Sequence, residues 1–162
     1  MLPQMPSSMN NTVIIGLGNP ILSDDGVGIQ VARKLRERLA GRPGIEVIEA
    51  YAGGLRLLDL LAGHQRAIII DAMTTAACEP GTIRRFSPSD LQETRNVSSS
   101  HDASLANALE TGRTLGMDVP AEVIVFGIEA AVVDIFSEAL TGKVAKAVPE
   151  MVEMVMGVIG EA

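Results

Sequence analysis

The sequence predicts one α/β domain, a three-layer α/β/α sandwich around a mainly parallel central sheet. Three observations lead there. Apolar β-branched runs alternate with amphipathic helical stretches along the whole chain. The strongest run, Ala67-Ile68-Ile69-Ile70, is continuous rather than alternating, as expected of a strand covered on both faces at the centre of a parallel sheet. No repeat or linker divides the 162 residues, a length suited to a single domain with a proper core.

The elements follow in order. Residues 1–11 are polar, Met-rich and Pro-containing, without the charged and apolar regions of a signal peptide, and read as a disordered leader to a domain over 12–162. Thr12–Leu17 is the first strand. Asp24 opens a helix reaching about Ala40, with Val27, Val31, Leu35 and Leu39 on one stripe and Gly41 ending it. Gly44–Glu49 is the second strand, and Leu55–Leu61 a short helix between Gly53-Gly54 and Gly63. After the central run, Gly81–Phe86 alternates like an edge strand, and Arg95–Ser100 is a polar loop. Asp102–Leu115 has a helical apolar face of Leu105, Ala108, Leu109 and Leu115. Glu122–Gly127 is another core strand. Thr141 caps a last helix to about Ile159, with Val144, Val148, Val152 and Val155 inward; Pro149 kinks it or marks its first turn.

Composition narrows the function classes. Hydrophobic residues are 47%, charged residues 20% and aromatics only 2%, so the core must be aliphatic. The net charge of −7 disfavours nucleic acid and anionic membrane as partners. The lone Cys78 excludes an intrachain disulfide and fits a reducing cytoplasm, and no run is long enough to span a bilayer.

The most informative stretch is Gly16–Gly28, which follows the first strand and carries the adjacent acids Asp24 and Asp25. Ligands of open α/β sheets bind beyond the carboxyl ends of the strands, where this stretch must lie. Asp24 is assigned as the helix cap, which leaves Asp25 to point elsewhere. Asp71 directly follows the central run, and His101 closes the Ser98-Ser99-Ser100 loop at the start of a helix. Two carboxylates and an imidazole from separate loops form a set of N/O ligands for a divalent transition metal, with positions left open for water or substrate. Each also has a plainer reading: Asp25 as a cap, Asp71 as a turn acid, His101 as a surface cap. His64 reads as a solvated loop histidine and Cys78 as a packed or loop thiol. Gly16-x-Gly18 resembles the start of a dinucleotide fingerprint, with Glu49 where a ribose-binding acid could sit. Ile21 replaces the third glycine, however, and the two acids would repel a pyrophosphate.

Gly18-Asn19 followed by Asp24-Asp25-Gly26-x-Gly28, the strand ending in Asp71-Ala72, the Pro80-Gly81 turn and His101 after a Ser-rich loop together resemble the hydrogenase maturation proteases. The resemblance runs from about Thr12 to the final helix. It implies a Rossmann-like α/β sandwich with Asp25, Asp71 and His101 as the metal-contacting and catalytic residues. The chain departs from the family's pattern where Tyr51-Ala52 stand in place of an acid before Gly53-Gly54.

The implied activity is endoproteolytic removal of a C-terminal peptide from a [NiFe] hydrogenase large-subunit precursor after nickel insertion, in the cytoplasm. Two hard carboxylates and one imidazole trap nickel poorly beside a cysteine-rich site, so the nickel is expected to arrive on the precursor. The precursor is expected to meet the Asn96–Ser100 loop and Gly53-Gly54. Two alternatives remain at this level: a non-enzymatic chaperone that binds metal or precursor, and, less favoured, a dinucleotide-binding module.

Overall fold

The computed structural model describes residues 11–51, 53, 55–90, 95 and 105–160. Its strands are β1 (Thr12–Leu17), β2 (Ile45–Ala50), β3 (Arg66–Met73), β4 (Ile83–Phe86) and β5 (Glu122–Glu129). Its α-helices are α1 (Val27–Arg38), α2 (Arg56–Leu61), α3 (Leu105–Thr114) and α4 (Gly142–Gly160). The strands form one sheet in the order β2-β1-β3-β5-β4. All neighbours are parallel except β4, which closes the β5 edge antiparallel.

The period of two along each strand sorts the core into two layers. Ile14, Ile68, Ile70, Ile124 and Phe126 face α1 and α4, meeting Val31, Leu35, Val148, Met151 and Val155. Val13, Ile15, Ala67, Ile69 and Val125 face the other way, onto Leu57 and Leu61 of α2 and Leu105 and Leu109 of α3. Both faces of β1 and β3 are therefore covered, which is why their sequences run apolar without alternation. The three-layer expectation holds.

Several boundaries differ from the sequence reading. α1 begins at Val27, after a separate 3-10 turn over Ser23–Gly26. β3 continues past Ile70 to Met73, because β5 goes on pairing with it through Met73↔Glu129. Pro149 lies well inside α4 rather than in its first turn. Residues 1–10 and 102–104, and with them most of the leader and the start of the Asp102 helix, lie outside the described residues. Asn11, read as part of the leader, is tied to the domain: its side-chain amide donates to the Gly63 carbonyl at 2.8 Å.

Glu49 braces β2 against α1, accepting from Arg33 Nε at 2.8 Å and Arg36 Nη1 at 2.9 Å. Burial alone would raise its pKa, but the hydrogen bonds and charges of Arg36 and Arg33 win and hold it below the ordinary carboxylate value. This brace contributes stability above the usual Glu pKa and loses it as pH falls through the lowered one. It also occupies the carboxylate that a ribose would have needed.

α1 lies close to the sheet because Gly28 has no side chain. A Cβ there would stand 2.4 Å from the Ile70 carbonyl oxygen and 2.5 Å from that of Leu17. Both are backbone atoms of packed strands and cannot step aside. Gly28→Ala is expected to destabilise the fold by about 2–3 kcal/mol, read as a lower urea midpoint with an unchanged slope. A wild-type midpoint would mean that α1 shifts freely.

Candidate functional site

The strand order sets the location. From β1 the chain runs through α1 to β2 on one side, then returns through α2 to β3 on the other side of β1, and α1 and α2 cover opposite faces. The order thus reverses between β1 and β3, and it is beyond the carboxyl ends of strands at such a switch point that open α/β sheets bind their ligands.

β3 outruns β1 at this point. Gly16↔Ile70 is the last β1–β3 pair, whereas Asp71 pairs with Gly127 of β5. Asp71 is accordingly inside the strand and not beyond it, one residue past the last pair with β1. It is wholly buried, and its Oδ1 accepts from the Ala72 amide at 2.9 Å.

Asp25 sits in the 3-10 turn. Gly18, at φ +141°, lets that turn tuck against the end of β1, since a Cβ there would lie 1.9 Å from the Asp25 carbonyl oxygen. The Asp25 carboxylate is buried, accepting from the Asn19 amide through Oδ2 at 3.0 Å and from Arg95 Nε through Oδ1 at 3.0 Å. The Arg95 amide in turn donates to the Ala72 carbonyl at 2.9 Å. One residue thus joins the acid after β1 to the strand end that carries Asp71. The sequence reading missed Arg95, because a single basic residue in a polar loop carries no pattern. Asp25 and Asp71 are both buried.

Asp24 is not a helix cap. Neither the 3-10 turn nor α1 has a side-chain cap. Its buried carboxylate reaches the segment between β5 and α4, accepting from the amides of Ala131 (2.9 Å), Val132 (3.0 Å) and Thr141 (2.8 Å). The Thr141 hydroxyl, read as a cap of α4, also donates to Asp24, at 2.8 Å. Beside it, Ser23 takes the left-handed φ of +49°, its amide donating to the Ser137 carbonyl and its hydroxyl to that of Ile135. Asp24 therefore shapes the loop beside the turn that carries Asp25.

A second buried acid works in the same way. Glu129, ending β5, accepts from the Thr75 amide and hydroxyl and from the Ala76 amide at 2.7 Å, which fixes the loop after β3 with Ala76 at φ +55°. Sequence reasoning did not single it out, since it lies past Gly127, where that strand was expected to end.

His101 lies outside the described residues, as do residues 96–100 and Gly54 of the expected partner surface. Among the described residues no group of three His, Cys, Asp or Glu is set to hold a metal ion. His64 is at the opposite, amino edge of the sheet. It is mostly buried and pairs with Glu46 at 3.0 Å, so it is not the solvated loop residue expected.

Comparison with known proteins finds relatives in sequence and in fold. The sequence profile described as hydrogenase maturation protease matches residues 29–158. A Methanocaldococcus jannaschii protein assigned by name to these proteases is 33% identical over 153 residues, which cover 91% of this chain and 95% of that one. The hydrogenase 2 maturation protease of Escherichia coli is 26% identical over 117 residues, 72% of this chain and 71% of its own. The solved structure of the E. coli hydrogenase-maturating endopeptidase HybD shares the fold, with a TM-score of 0.78, 24% identity and 93% of each chain covered. The chain belongs to the hydrogenase maturation protease family.

Proposed function

We propose that this protein is an endopeptidase that removes a C-terminal peptide from a [NiFe] hydrogenase large-subunit precursor once nickel is in place, with Asp25, Asp71 and His101 contacting the metal. Family membership supports the peptidase activity. The observation that carries the site is the link from Asp25 through Arg95 to Ala72, beside Asp71, at the switch point of the sheet.

Two carboxylates held at one strand edge suit a cation. In the structure the positive charge of Arg95, whose side chain is 36% exposed, lies against Asp25. Nickel held by precursor thiolates brings its own charge and open coordination positions, which hard oxygen ligands and an imidazole can fill. The metal is thus part of the substrate. It reports that assembly is complete and brings the scissile bond against the acids. At that position it can polarise the carbonyl or activate a water. The reaction is assigned to the cytoplasm; no described helix is long and apolar enough to cross a membrane.

Nickel-loaded and nickel-free precursor, each incubated with the protein and weighed by mass spectrometry, test this reading. Only the loaded precursor is expected to lose its C-terminal peptide. Efficient cleavage of the nickel-free form would overturn the substrate-borne metal. Tight binding of both forms without cleavage would favour the chaperone alternative.

A further inference from the structure

Seven large hydrophobic residues are exposed among the described residues, and five of them follow the carboxyl ends of β1, β2 and β5: Ile21, Tyr51, Leu55, Ile135 and Phe136. This is the edge that carries Asp25 and Asp71. Phe136 is 81% exposed and Ile135 58%, in a chain with only three Phe, of which Phe126 is in the core and Phe86 packs against it. Neither sits on a loose tip. The Ser137 amide donates to the Ile21 carbonyl at 3.0 Å, Ser23 holds the carbonyls of Ile135 and Ser137, and Asp24 ties down both ends of the segment. The backbone of Ile135–Ser137 is thus bound to the turn that presents Asp25. Rigid apolar side chains held in water lose little entropy when covered, which is the usual make-up of an interface anchor.

We infer that Ile21, Ile135 and Phe136 form a docking surface for an apolar segment of the hydrogenase precursor that borders its scissile bond. The inference rests on the precursor being the substrate. Continuity argues for this occupant, since Ile21 lies in the turn that leads directly into the one bearing Asp25, and a peptide approaching that acid must pass the rim. A second copy of the chain fits poorly. A stable pair buries about 800 Å² per partner, more than this rim of side chains offers. Asp134 and Glu138 flank the anchors and add to a net charge of −7, which two copies would bring face to face.

The test measures binding of nickel-loaded precursor by biolayer interferometry and, separately, its cleavage, for the full chain and three variants. In the Ile135→Ser/Phe136→Ser double variant the precursor Kd and KM are expected to rise about tenfold or more, with a much smaller change in kcat. Phe136→Leu should recover most of the affinity. Leu115→Ser, at an exposed apolar residue on the end of α3, should match the wild type. Melting curves establish that all three fold. An unchanged Kd in the double variant overturns the docking surface. So does a wild-type dimer in sedimentation velocity that the double variant dissociates. If the wild type binds precursor without cleaving it, the endopeptidase reading fails, and the Kd comparison still decides the docking surface.

Discussion

Asp25→Asn is expected to slow processing of nickel-loaded precursor by more than about 100-fold while the chain still folds. Asn keeps the shape of the side chain and one oxygen to accept from the Asn19 amide or from Arg95. What it loses is the negative charge, the property a metal ligand supplies. Stability should fall by only about 1 kcal/mol, because the Arg95 head is partly exposed and rehydrates when its partner becomes neutral. Single-turnover cleavage beside a urea melt separates the two effects. A near-wild-type rate would remove Asp25 from the site. Asp71→Asn and His101→Ala carry the same expectation for activity, with a larger stability cost at Asp71, which is wholly buried.

Asp24→Ala, one position away, should reverse the balance. Its carboxylate serves three amides and a hydroxyl from the β5–α4 segment. Removing it strands several partly buried donors and frees the loop they hold. The expected loss is about 3 kcal/mol, beyond the roughly 1 kcal/mol of a missing helix cap. That is a large share of the 5–15 kcal/mol that stabilises a typical domain. Urea denaturation measures it, and a loss within the range of a cap would return Asp24 to the helix terminus. Asp24→Asn keeps one acceptor oxygen and should fall between.

The neighbouring acids show what the sequence could reveal. Periodicity exposed the layers, because Ile68 and Ile69 must face opposite helices and both had to be apolar. The glycines of the glycine–acid motif let the acid-bearing turn and α1 pack onto the strand ends, because only a residue without Cβ fits at Gly18 and Gly28. The reading of Asp24 as a helix cap was wrong. A cap is a local interaction that sequence spacing can suggest, whereas the true partners of Asp24 lie 107 to 117 residues away. Arg95 and Glu129 escaped for the same reason. Each acts across the fold, on Asp25 and on Thr75, and nothing beside them in the chain announces it.

That distance also orders events in time. The turn bearing Asp24 and Asp25 is made early in synthesis, but its closing donors at Ala131, Val132 and Thr141 emerge near the end. Contacts of such long range close slowly, since the loop entropy must be met before any reward. The sheet around β1 and β3 can pair first, leaving the acid-bearing turn open until α4 begins to dock. The α4 layer of the core and the turn bearing Asp24 and Asp25 are therefore completed together, late in the folding of the chain.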